Sequence, residues 1–217
     1  MFTNINIDSN QGMLISGLLA APFYLVLIYM LGILEPGFSH LTKPMSLLGG
    51  VPGLRGQVFN FGVAFTGVLV IIFGQALWRQ LPEKISAKIA FGLFVMGGIG
   101  LIGAGVFHCN AGCKNVLQEP DLVGQLHAML SFLAGMGTGL APFFAWLAMH
   151  KSVQWKRFAT LTLLAAILAN VPGIIFWLTF LTGYRLESVE GFIQRLGFVV
   201  TLIWMFYLTI SLLRWKS

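Results

Sequence analysis

The chain has 217 residues, of which 57% are hydrophobic and only 9% charged, with 26 glycines, 19 phenylalanines and a mean hydropathy of +0.85. So little charge excludes an ordinary soluble enzyme, a disordered segment and a small disulfide scaffold, and predicts an all-α integral membrane protein. The 13 Lys and Arg exceed the 7 Asp and Glu, but they stand singly or in pairs between apolar runs. That distribution marks the flanks of membrane spans and argues against nucleic acid as a partner.

Uncharged stretches cover residues 9–34, 56–78, 89–107, 122–150, 158–184 and 196–213. A helix needs about 20 apolar residues to cross ~30 Å of hydrocarbon, where every backbone N–H and C=O must be satisfied within the helix. Residues 1–217 are therefore read as one domain, a bundle of six transmembrane helices. Asp8 is the only charged residue ahead of the first span, which lacks the basic start of a signal peptide and is expected to remain.

Basic residues set the expected orientation. Arg79, Lys84, Lys88, Lys151, Lys156, Arg157, Arg214 and Lys216 lie on one side, against Lys43, Arg55, Lys114, Arg185 and Arg195 on the other. The richer side should be cytoplasmic, with both termini inside. Residues 35–56, 108–121 and 185–195 then lie outside, and the first makes a long extracytoplasmic loop between helices 1 and 2. Loops of that length are either functional or capping.

Small residues mark close packing. Gly97, Gly100 and Ala104 form a stripe on the third helix, and Ser131, Gly135 and Gly139 recur at four-residue spacing on the fourth. The simplest reading packs these two helices together within one bundle, since small residues let backbones approach in lipid. Pro142 and Pro172 are expected to kink their spans, with Asn170 bonding the carbonyls that Pro172 frees.

The outer face gathers the unusual polar residues. His127 falls just inside the hydrocarbon boundary, where an ionisable group is a functional candidate. His40, His108 and His127 would suffice to hold a catalytic Zn²⁺, although no fixed-spacing motif joins them. With Ser46 they form the candidate catalytic set. Ser39, Asn60 and Arg195 are the candidate substrate-binding residues, the Arg195 fork being suited to a phosphate or carboxylate. Cys109 and Cys113, the only two cysteines, are expected to pair on an oxidising face.

Several of these residues carry a resemblance. Pro36-Gly37-Phe38-Ser39, Ser46-Leu47-Leu48-Gly49, Phe59-Asn60 with Gly62 and Gly67, Gly105-Val106-Phe107 and Leu126-His127 make the chain resemble a bacterial six-helix membrane family known as domain of unknown function nine hundred and ninety-eight. The likeness runs over roughly residues 20–135. It implies six helices, a site on the outer face and a place in the bacterial cytoplasmic (inner) membrane, but no activity. In that family the third helix usually exits as Phe-Pro, a small residue or Cys, then Asp. His108 stands here for the proline and Asn110 for the aspartate, and Asn serves neither as a general base nor as an anionic metal ligand.

Three function classes remain open on these residues. One is a membrane module that binds a lipid, an apolar small molecule or a partner protein. The second is a metal-dependent membrane hydrolase of a lipid-type substrate, similar in kind to membrane ceramidase-like enzymes, using zinc. The third is a haem protein.

Overall fold

The computed structural model describes residues 9–82, 84–109, 121–182, 184 and 186–216. Among them are six long helices: α1 (Ser9–Leu34), α2 (Leu54–Trp78), α3 (Ile85–Val106), α4 (Leu122–Met149), α5 (Lys156–Thr182) and α6 (Glu190–Lys216). The shortest, α3, has 22 residues and is ~33 Å long at ~1.5 Å per residue, so each helix can cross a bilayer. The protein is a multi-pass membrane protein.

Each helix packs on its neighbours in sequence, and α6 returns to α1, so the six close into a ring. Backbones approach closely between α3 and α4. A methyl group built on Gly100 would lie 2.5 Å from the Ala134 amide nitrogen, and one on Gly97 would lie 2.9 Å from that of Thr138. The α3 stripe thus packs as expected. Its counterpart on α4 is different: Gly137 and Ala134 meet α3, whereas Gly135 and Gly139 turn to Trp177 and Asn170 of α5. Helices α4 and α5 run through Pro142 and Pro172 as single helices.

The two ends of the ring are built differently. At the end holding the C-termini of α2 and α4, aromatic rings plug the centre. Phe73, Phe94 and Trp204 stand with centroids 5.5 to 6.2 Å apart, and the Trp204 Nε1–H donates to Thr162 Oγ1 at 3.0 Å. At the other end the centre is hollow and is covered by the chain between α1 and α2.

That covering segment corrects the expectation of a long loop. Helices α1 and α2 pack directly on each other, and the 19-odd residues joining them fold down as a cap around a 3₁₀ turn, Met45–Gly50. Its backbone groups are satisfied close by. Phe38 N–H donates to Glu35 O and Lys43 N–H to Ser39 O, and the Glu35–Arg55 ion pair (3.0 Å) ties its two ends. Gly37 and Gly53 take positive φ (68° and 81°) where the chain reverses, a conformation open to Gly at little cost. A segment so tied to the bundle has no reason to extend into solvent.

Candidate functional site

The hollow end holds a cavity of about 500 Å³, within the range that accommodates a small-molecule ligand. All six helices and the cap contribute to its wall. Most of the lining is apolar, from α4 and α5 especially, with Phe132, Met136, Ile174, Phe176 and Leu178. Polar groups gather toward the capped end: Ser46 from the cap, His127 and Ser131 from α4, Gln194 from α6. Each lies within three turns of a helix start or on the cap, toward the capped end.

His127 is held by the end of α3. Its Nδ1 lies 2.8 Å from Phe107 O and 3.1 Å from Ala104 O, so Nδ1 carries the proton and donates to these carbonyls. Nε2 faces Ser131 Oγ at 3.4 Å, four residues on along the same helix face. Gln194 fixes the cap, its Oε1 accepting the Met45 N–H at 2.5 Å. Deeper, Asn170 donates to Gly139 O (2.7 Å) of α4 and to Ala166 O (2.6 Å), not to a carbonyl freed by Pro172.

Of the sequence candidates, Ser46 and His127 are brought together on this cavity. The others are elsewhere. Asn60 donates to Gly49 O at 3.0 Å, and Ser39 Oγ accepts the Thr42 N–H at 3.3 Å, so both shape the cap. Arg195 is 5% exposed and spends Nη1 on two cap carbonyls, His40 O (2.6 Å) and Lys43 O (2.9 Å). It lies over the Phe38 ring at 5.5 Å, and its Nε and Nη2 have no hydrogen-bond partner among the described residues.

The three histidines do not converge. His40 packs against Tyr29 (4.7 Å) and Phe38 (5.3 Å) on the α1–α6 side of the ring, opposite the α3–α4 pair that holds His127. His108 is exposed just beyond α3, with Nδ1 3.3 Å from Cys109 O. Among the described residues no three His, Cys, Asp or Glu side chains stand close enough to share a metal ion. His40 is carried to the opposite side of the ring from His127, while His108 stays beside the Phe107 carbonyl that His127 meets, and nothing in their spacing required convergence. Burial, aided by the Arg195 charge, holds the His40 pKa below its ordinary value. Cys109 is buried; Cys113, its expected partner, and Asn110 lie outside the described residues.

The cap and the Phe107–His127 junction involve residues that carried the resemblance. A family model described as protein of unknown function (DUF998) matches residues 18–211. The chain belongs to this family. The match runs through α5 and into α6, well past residue 135. Nothing among curated proteins or solved structures matches the chain.

Proposed function

We propose that this DUF998 member binds a lipid or another apolar small molecule inside its helix ring. The observation that carries the reading is the cavity: about 500 Å³ inside the bundle, polar at the capped end and apolar along α4 and α5. A ligand with a polar head and an apolar tail matches that gradient, because each half loses water against a like surface. The outer surface of α5, with Ile167 51% and Val171 52% exposed, would face lipid and offer a lateral source of such a ligand.

The test is organic extraction of the purified protein followed by mass spectrometry. About one lipid per chain is expected from the native protein and none from Ser131→Phe, which fills the polar end. Equal, sub-stoichiometric lipid from both would overturn the reading.

A hydrolytic reading has one observation in its favour, the Ser131 hydroxyl beside the acceptor nitrogen of His127. A nucleophile and base within reach, the base oriented by a third group, is the required arrangement. Ser131 would then be labelled by a long-chain fluorophosphonate, and the labelling would vanish in His127→Ala; an unlabelled Ser131 would exclude it.

The capped end is proposed to face outward in a bacterial cytoplasmic membrane, with both termini inside. At the opposite end Arg157 lies 4.3 Å from the Trp215 ring, the kind of cationic and aromatic anchor found at a headgroup boundary. In a cysteine-free background, Leu41→Cys should react with an impermeant maleimide on intact cells while Ser152→Cys does not. The reverse pattern would invert the topology. A Cys109–Cys113 disulfide belongs to the same proposal, and mass spectrometry of the alkylated, unreduced protein should find neither cysteine modified.

A further inference from the structure

The wall of the cavity is not equally closed on all sides. Toward α1, α2 and α3 its lining residues are sealed: Tyr24 is 3% exposed, Phe59 4%, Val63 7% and Leu101 6%. Toward α4 and α5 the lining includes surface residues, with Met136 38% exposed, Ile174 and Leu178 each 57%, and Leu181 47%. Exposure to an enclosed hollow would fall on every wall alike. Confined to two neighbouring helices, it marks a gap between them.

The turn of α5 says what lies beyond the gap. Ile174 stands seven residues after Ile167, and Leu178 seven after Val171. Seven residues bring a straight helix back to within ~20° of the same face. Ile167 and Val171 are half exposed and do not line the cavity, so theirs is the face that α5 turns to the surrounding hydrocarbon. Farther along the helix that same face edges the cavity. The gap runs ~10 Å along the helix from Ile174 to Leu181, and Ile174 and Leu178 lie within the span, at the level of the acyl chains of the leaflet on the capped side. Deeper, Asn170 donates to Gly139 O and closes the α4–α5 seam, which confines the gap to the hollow half of the bundle.

Resting on the reading that the cavity binds a ligand, we infer that this ligand is a bilayer lipid that enters sideways between α4 and α5 and remains partly in the membrane. Its polar head lies at the capped end, beside Ser46 and Ser131, and its tail leaves the protein past Met136, Ile174 and Leu178. A compact small molecule has no use for the gap, whereas a tail longer than the cavity needs one. Hydrocarbon outside is as apolar as the wall inside, so methylenes that stay in the membrane change the binding free energy little. A closed cavity would have to pack every one of them and would reject the surplus. Affinity is therefore set by the head and the first part of the tail, and is indifferent to the length of the rest.

Two measurements test this. In the first, lipid extracted from the native full-length protein is sorted by acyl length and compared with lipids of the same head class in the source membrane. The two distributions are expected to coincide. A bound population restricted to the shortest chains would overturn the gap while leaving a binding cavity. In the second, Ser131→Cys in a cysteine-free background is embedded in dioleoylphosphatidylcholine nanodiscs and treated with N-hexadecylmaleimide, which partitions into the bilayer. Alkylation is expected, slowed at least about tenfold by Leu178→Trp at the gap and unchanged by Ile167→Trp, which adds the same bulk to the same face outside it. Equal rates in the three proteins would overturn lateral entry. If the native protein carries no lipid and Ser131→Cys is not alkylated, the cavity itself is not a binding site and the inference falls with it.

Discussion

His40 illustrates how a residue type that suggests catalysis can instead belong to a structural cap. Its ring nitrogens are buried between Tyr29 and Phe38 without hydrogen-bond partners among the described residues, and its backbone carbonyl is held by Arg195. Because burial first and the Arg195 charge second lower its pKa, the unfolded chain binds a proton on His40 more readily than the folded one. Stability is then unaffected well above pH 6.5 and falls as pH drops below it, until the folded form also protonates. Thermal unfolding in detergent at pH 7.5 and pH 5 should show a loss in the native protein that is smaller in His40→Gln; an equal loss in both would remove His40 as its source.

Arg195 has a complementary role, a buried cation whose partners are carbonyls of the cap. Arg195→Met removes two charge-assisted hydrogen bonds, worth roughly 2 kcal/mol net once the relief of burying a charge is set against them. Amide exchange over residues 41–45 is expected to accelerate more than about tenfold, with the α2–α3 core unchanged. These two residues were visible as outer-face candidates in the sequence. Their roles were not, because whether an arginine meets a ligand or a main-chain carbonyl depends on which segment folds over it.

At the scale of helices, the seams α3–α4 and α4–α5 use different devices. The first depends on missing side chains. A methyl on Gly137 would strike the Gly97 backbone, so Gly137→Ala should cost about 1–3 kcal/mol of stability in detergent unfolding. Gly92 has open space around a Cβ, and Gly92→Ala should be neutral or stabilising by up to about 1 kcal/mol. The second seam depends on a hydrogen bond between spans, Asn170 to Gly139 O, and Asn170→Leu should lower stability by about 1 kcal/mol. Equal effects of the two glycine variants would refute the assigned faces. The α3 stripe was readable in the sequence, since three small residues at helical spacing define a face. Its partner was misread: Gly135–Gly139 and Gly137 lie on adjacent faces of α4, and composition alone does not say which neighbour each face meets.

For the whole molecule, the asymmetry between a plugged and a hollow end is what permits a site. Phe73, Phe94 and Trp204 fill the ring at one end, while small or flexible residues such as Ala128, Ser131 and Gly135 leave it open at the other. Sequence by itself determined that the chain is a six-helix membrane protein, because ~30 Å of hydrocarbon demands long runs of uncharged residues and those runs are countable. It also carried the family resemblance and marked Ser46 and His127. Only the tertiary structure decided that the joining segment is a cap, that His40 lies away from His127, and that Gln194 and Ser131 line the polar end of the cavity. The reason is physical: periodicity and hydropathy report each helix's relation to its solvent, whereas a site is made by the order and rotation of helices around the ring, which many weak contacts set together.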